Sequence, residues 1–212
     1  MSIIDRANPV IATGQTVLLV EDEPLLQRRL VRALSELGFQ EQDIQVASTV
    51  ARALEAMAQR RFSMAFIDLA LPDGSGIELI ARMRLHHPQA RIVVGSAWSS
   101  AASVLAALRA GATGYVHKER DDAEVREVLG SALRGGATID PMMAREILRT
   151  CTPGGEGAEV AVALDALDRK LLALTAEGCS HREIGAQLQI SREEMEQRVR
   201  QIYLKLHRAA DA

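Results

Sequence analysis

The stretch Phe66-Ile67-Asp68-Leu69-Ala70-Leu71-Pro72-Asp73-Gly74-Ser75-Gly76 decides how the rest of the chain is read. An apolar run, Met64 to Ile67, leads straight into an acid, and turn formers follow. A buried parallel strand has this form when it delivers a carboxylate at its C-terminal edge. A helical pattern resumes at Ile77. In open α/β sheets that edge is where ligands and chemistry collect. Asp68 is therefore a candidate reactive group, and the competing reading is an acid that only caps its own turn.

Working outward, the same alternation repeats. Residues 16–20 form an apolar, β-branched run that stops at Glu21-Asp22-Glu23-Pro24. Pro24 suits the first turn of a helix, with Leu26, Leu30, Ala33, Leu34 and Leu37 at spacings of three and four before Gly38. A second strand is expected over 44–47, then a helix capped by Ser48 or Thr49. After Asp68 comes a helix with Leu79, Ile80 and Met83 that stops before Pro88. Residues 91–95 read as a fourth strand ending in Ser96-Ala97-Trp98, and Ser99 or Ser100 caps an Ala-rich helix closed by Gly111. Residues 113–117 read as a fifth strand, followed by Lys118 and a helix from Asp121 with Val125, Val128, Leu129 and Leu133. Strict strand–helix alternation predicts a flavodoxin-like, doubly wound five-stranded parallel sheet covered on both faces.

Gly135-Gly136 ends the alternation. A short helix over 141–148 and a flexible linker over 150–157 are expected, the latter from Pro153, Gly154 and Gly155. From Leu164 onward only helical signals remain: one helix ending at Gly178, a second capped by Ser180, and a third capped by Ser191. The short link Gln189-Ile190 between the last two is the helix-turn-helix pattern. The expected division is a tail (1–14), an α/β domain (15–134), a linker with a short helix (135–163) and a small all-α domain (164–212).

Composition bounds the function. The 212 residues are 48% hydrophobic and carry a net charge of −3, which argues against blanket binding to nucleic acid or anionic membrane. No apolar run approaches a membrane span, and no signal peptide is read at the N-terminus, so a cytoplasmic protein without membrane contact is expected. Cys151 and Cys179 lack metal spacing and are expected as reduced thiols. His86, His87 and His117 also lack metal spacing and read as surface residues, while Asp73 and Glu23 read as turn and helix-start residues.

The strand ends gather a constellation: Glu21 and Asp22, Asp68, Ser96 and Lys118, all at one sheet edge. Carboxylates brought together repel, which favours a hard divalent cation such as Mg²⁺. A cation and a lysine ammonium together offset the charge of an incoming phosphoryl group. Asp68 is then placed to attack phosphorus, with Ser96 and Lys118 as partners for phosphoryl oxygens.

These segments, with Gly111-Ala112-Thr113-Gly114-Tyr115-Val116-His117-Lys118, resemble the receiver domain of two-component response regulators over roughly residues 16–133. The resemblance implies Asp68 as the phosphoacceptor of a sensor histidine kinase. It implies Glu21 and Asp22 as the acidic pair, Asp22 and Asp68 as direct Mg²⁺ ligands, and the Ala70 carbonyl as a further ligand. Ser96 would be the switch hydroxyl, Tyr115 the switch aromatic and Lys118 the phosphate-binding lysine. Two departures stand out. Gly95 replaces a bulky apolar residue, so a loose end of the fourth strand is expected, and Trp98 places an indole where water access to a phosphoryl group is influenced.

Residues 164–207 resemble the LuxR/FixJ (NarL)-type helix-turn-helix, which implies that the helix after Ser191 enters the major groove and that dimers read paired half-sites on duplex DNA. Ser191, Arg192, Arg198, Arg200 and Lys205 are the candidate DNA contacts. The departures are Glu193, Glu194 and Glu196, with Glu196 where the family's groove-facing Lys is expected. Acids and bases balance over 164–212, where a DNA-reading domain is usually basic. Two outputs stay open: a phosphorylation-controlled, dimerising transcription regulator, or a helix-turn-helix scaffold turned to protein binding or dimerisation. An aspartyl-nucleophile phosphatase needs a second Asp two residues on, where Ala70 stands, so no enzyme is expected.

Overall fold

The computed structural model describes residues 14–96, 101–151 and 162–210, with the side chains of Ser96, Ala101 and Ala210 outside that set. Five parallel strands form one sheet in the order β2-β1-β3-β6-β7: β1 Val17–Val20, β2 Ile44–Ala47, β3 Met64–Asp68, β6 Arg91–Ser96 and β7 Gly114–His117. The expected flavodoxin-like sheet is present, with the order reversing beside β1, so that the crevice there is flanked by the ends of β1 and β3. A short hairpin follows Asp68, pairing β4 Ala70–Leu71 with β5 Gly74–Ser75.

Alternation along each strand feeds two apolar layers. Val17, Leu19, Met64, Phe66, Val93 and Val116 face helices α1 (Pro24–Glu36) and α5 (Asp122–Leu133). Leu18, Val20, Ala65, Ile67, Ile92 and Val94 face α2 (Val50–Gln59), α3 (Gly76–His86) and α4 (Ala101–Arg109). Successive residues point to opposite faces, so a strand buried on both sides must be apolar throughout, as β1 and β3 are. Local chemistry starts the helices as expected: Pro24 in the first turn of α1, Thr49 accepting from the Arg52 amide, and Asp121 accepting from the Glu124 amide.

The C-terminal region is helical: α6 (Pro141–Cys151), α7 (Ala166–Ala176), α8 (His181–Leu188) and α9 (Arg192–Ala210). Asp165 and Ser180 each close a capping box, and Gln189 takes the left-handed conformation (φ 55°) that turns α8 into α9. Helix α6 runs three residues past its expected end. Ile147, Thr150 and Cys151 continue its buried face, and the Thr150 hydroxyl donates to the Glu146 carbonyl. The start of the expected linker is thus helix, and residues 152–161 lie outside the described set.

Two further expectations change. His87 is not a surface residue: it is 4% exposed, accepts the Phe62 amide on Nδ1, and burial lowers its pKa. Gly95 does not leave β6 loose, because the Phe66 ring from β3 occupies its side-chain space. A Cβ built on Gly95 would lie 2.1 Å from Phe66 Cζ. Cys151 is buried and Cys179 half-buried, both free, and no helix among the described residues is long and apolar enough to cross a membrane.

Candidate functional site

The site forms at the carboxyl ends of β1, β3 and β7. Glu21 follows β1 and is fully buried, whereas Asp22 projects into solvent. Asp68 ends β3 at 5% exposure and Lys118 follows β7 at 8%. The Lys118 ammonium bridges the two buried acids, 2.6 Å from Glu21 Oε2 and 2.6 Å from Asp68 Oδ2. Carboxylate oxygens of Glu21, Asp22 and Asp68 lie within 4.8 Å of one another. The electrostatics follow from burial. Desolvation raises the Glu21 pKa, and Lys118 opposes this without cancelling it. Desolvation also pushes the Lys118 ammonium downward, but its bonds to Asp68 and Glu21 outweigh that and its pKa is raised. Two anions around one buried ammonium leave the pocket with excess negative charge, a setting that fits a divalent cation.

The surroundings fix these groups. The Ala70 amide donates to Asp68 Oδ1 at 3.2 Å, so the backbone that would offer the Ala70 carbonyl starts from a defined turn. Asp73 does more than turn the chain. Its carboxylate accepts from the Val50 and Ala51 amides at 2.7 and 2.9 Å, pinning the hairpin to the N-terminus of α2, and these bonds lower its pKa. Glu23 is the N-cap residue of α1 without a side-chain cap bond. Arg29, on α1, donates to the backbone carbonyls of Lys118 and Arg120 and pairs with Asp122. No periodicity marked Arg29, since it sits beside the buried stripe rather than in it.

Tyr115 on β7 is 5% exposed, and its hydroxyl has no hydrogen-bond partner among the described residues. Burial, then the charge of Asp140, pushes its pKa up to about 12. Ser96 ends β6 beside His117 in the ladder, with its side chain outside the described residues, as is all of Trp98.

Helix α9 carries one buried stripe and one partly buried stripe. Met195, Val199, Ile202 and Leu206 join the apolar core shared by α4, α6, α7 and α8. A second stripe, Glu196, Arg200, Tyr203 and His207, turns toward the α/β domain and its connection. Glu196 is 5% exposed; its carboxylate accepts from Ser131 at 2.8 Å, from Arg134 at 3.3 Å and from Arg192 at 3.0 Å. A Cβ on Gly136 would stand 2.8 Å from the Glu196 Cβ, so the chain passes against α9 with no room to spare. The Tyr203 hydroxyl donates to the Thr138 carbonyl at 2.8 Å, and His207 Nδ1 lies 2.6 Å from the Arg109 carbonyl. The position expected to face a DNA groove is therefore a buried carboxylate held by the α/β domain.

The candidate DNA contacts are similarly engaged. Arg192 pairs with Glu127 of α5 as well as Glu196. Arg198 and Lys205 pair with the fully buried Asp168, at 2.6 and 2.5 Å, and Arg198 also with Asp165. Arg200 is half-buried and its charge acts on Arg84 and Arg91. Ser191 caps α9 by accepting the Glu194 amide at 3.1 Å, while Glu193 and Glu194 face solvent.

Known proteins carry the same architecture. RcsB of Salmonella typhimurium, a response regulator studied for its DNA interaction, is similar over 91% of both chains with a TM-score of 0.55 at 20% identity, a likeness of fold. The transcriptional activator ExaE of Pseudomonas putida is 30% identical over 176 residues, 82% of each protein. The photosynthetic apparatus regulatory protein RegA of Rhodobacter capsulatus is 33% identical over 131 residues, 62% of this chain and 68% of that one. Residues 17–130 match the family model of the response regulator receiver domain, the segment that holds Glu21, Asp22, Asp68 and Lys118. With the acid–lysine pocket at its sheet edge and a regulator such as ExaE matched along most of its length, the chain belongs to the response regulator receiver family.

Proposed function

We propose that Asp68 accepts a phosphoryl group from a sensor histidine kinase and that its phosphorylation controls the C-terminal helix-turn-helix as a transcription-regulating, DNA-binding output. The observation that carries this reading is the Lys118 ammonium bridging buried Asp68 and Glu21. An Asp68 oxygen attacks phosphorus of the donor phosphohistidine. An O–P bond forms, the N–P bond breaks, and the released imidazole nitrogen takes up a proton from solvent. Lys118, already at Asp68, exchanges one carboxylate partner for a phosphoryl oxygen. Ser96 donates to another oxygen, and Tyr115, whose hydroxyl is buried without a described partner, moves with it. Asp22, Asp68 and the Ala70 carbonyl, backed by Glu21, are the groups that would hold Mg²⁺. Bound there, the ion supplies charge neutralisation for the phosphoryl oxygens. The only catalysis expected is phosphotransfer to Asp68 and dephosphorylation of the aspartyl phosphate by water.

Control passes through α9. Its second stripe is held by Ser131, Arg134, Thr138 and Arg109, so a change on the Tyr115 side of the α/β domain biases a docked–undocked equilibrium. Undocking frees Arg192 for phosphate and allows homodimers to pair on DNA. A second reading is favoured by one observation: the solvent face of α9 carries Glu193 and Glu194 while Arg198 and Lys205 are tied to Asp165 and Asp168. On that reading the output is protein binding or dimerisation. Capture of genomic fragments by the full chain, with and without acetyl phosphate, tests both. Phosphorylation-dependent retention that falls steeply with salt supports the DNA output. No retention in either state, with Asp68 labelled, supports the second.

A further inference from the structure

We infer that Arg29 is a positioning residue for Lys118, setting where its ammonium stands over Asp68; the inference rests on the phosphoacceptor reading above. Lys118 has two ends to hold. Its Nζ enters the acid pocket. Its backbone carbonyl faces the other way, toward α1, and receives Arg29 Nη1 at 2.5 Å. The same guanidinium donates through Nη2 to the Arg120 carbonyl and through Nε to Asp122 Oδ1, the latter at 2.5 Å. One planar fork therefore fastens three points of the five residues from Lys118 to Asp122, the four-residue turn after β7 and the first residue of α5.

The fork starts from the helix that follows Glu21 and Asp22. Arg29 thus ties the loop that carries the ammonium to the element that carries the acidic pair. Within the turn itself, the Arg120 amide bonds to the His117 carbonyl at 3.1 Å and the Glu119 amide to His117 Nδ1 at 3.3 Å. Both bonds are local and do not fasten the turn's backbone to the rest of the domain. Among the described residues, and apart from the lysine ammonium itself, the Arg29 fork is the long-range tie on this turn, spanning about ninety residues of sequence. Misplacing a reacting group by about 1 Å costs up to about a hundredfold in rate. A turn whose lysine must reach two carboxylates at 2.6 Å each has little tolerance for that motion.

The test compares full-length wild type, Arg29→Ala, Arg29→Lys, Lys118→Ala and the double variant Arg29→Ala/Lys118→Ala. Labelling by acetyl phosphate is followed by intact mass, and amide exchange over residues 118–122 is followed without any donor. Arg29→Ala is expected to label about tenfold slower than wild type. Arg29→Lys, which reaches only one of the three acceptors, stays several-fold slow. In the Lys118→Ala background the Arg29 change has no further effect, a non-additivity that a merely structural role does not produce. Mg²⁺ affinity by calorimetry stays within about twofold, since Arg29 touches none of the three carboxylates. Faster exchange confined to residues 118–122 supports the clamp whether or not any variant is labelled. Equal labelling rates and unchanged exchange in Arg29→Ala overturn it, as does an equal loss in the presence and absence of Lys118. Wild type that takes no label overturns the phosphoacceptor reading alone, and the exchange arm then still decides whether the clamp exists.

Discussion

Single side chains decide how this site is held, and two of them trade volume. Gly95 read as a defect in β6, yet its vacancy is filled by Phe66 from the neighbouring strand, two residues before Asp68. Sequence shows each residue alone, and only the parallel pairing of β3 with β6 brings them face to face. Gly95→Val is therefore expected to destabilise by about 1–3 kcal/mol through overpacking. Phe66→Val alone leaves a cavity and also destabilises. The double variant recovers much of both losses, which denaturant unfolding of the four proteins measures as a coupling energy. Lys118 carries a different energy. Its removal leaves Glu21 and Asp68 buried with no counter-charge, so Lys118→Met is expected to cost about 3–5 kcal/mol in chelator. Added Mg²⁺ is expected to recover part of that loss if the three carboxylates hold it, read as a rise in melting temperature. The acids, Asp68 and Lys118 were legible because motif and strand end coincide. Arg29 and Asp73 were not, since their partners lie on elements distant in sequence.

At the scale of elements, apolar periodicity located nearly every helix and strand, because each buries a face of fixed spacing. It failed where a buried face is not apolar. Helix α9 shows Met195, Val199, Ile202 and Leu206 plainly, but Glu196, Arg200, Tyr203 and His207 repeat at spacings of four, three and four, and Glu196, Tyr203 and His207 turn inward with hydrogen bonds instead. A charged stripe looks like a solvated face until its partners are known. Helix α7 shows the same effect. Asp168 is fully buried, receives Arg198 and Lys205, and shares a capping box with Asp165. The Asp168 amide, then Arg198, hold the Asp165 carboxyl below the ordinary range. A depressed folded-state value adds stability above the unfolded value of about 3.9 and loses it as pH falls through the lower folded value. Asp165→Asn is thus expected to be less stable than wild type at neutral pH, with the difference closing below about pH 4. Thermal melts of both proteins across pH 2 to about 7 check this; a difference that persists undiminished in acid excludes the charge of Asp165 as its source.

For the whole molecule, the proposed switch turns on how far the docked arrangement would resist phosphorylation of Asp68. The α/β domain and the helical region share one apolar core through α4, α6 and α9, and the polar stripe of α9 closes over Ser131, Thr138 and Arg109. A switch must move such an equilibrium by its differential affinity alone, and passing from about 1:99 to 99:1 takes about 5.5 kcal/mol. One phosphoryl group with a few charge-assisted bonds supplies energy of that order, so docking must be only marginally favoured for phosphorylation to reverse it. Glu196 is the sensitive point, because a buried carboxylate with three donors loses most when its charge is removed or inverted. Glu196→Gln keeps the shape and some hydrogen bonds. It is expected to weaken docking by about 1–3 kcal/mol and to populate the open form without a phosphoryl donor. Glu196→Lys sets a third cation beside Arg134 and Arg192 and is expected to open the unphosphorylated protein fully. Small-angle scattering of each variant, with and without acetyl phosphate, reads the population directly. Expansion in the order wild type, Gln, Lys without donor, and convergence of wild type toward the Lys variant with donor, is the outcome that marginal docking requires. If the Lys variant scatters like unphosphorylated wild type, the apolar core alone fixes the arrangement, and release of α9 is not the step that phosphorylation controls.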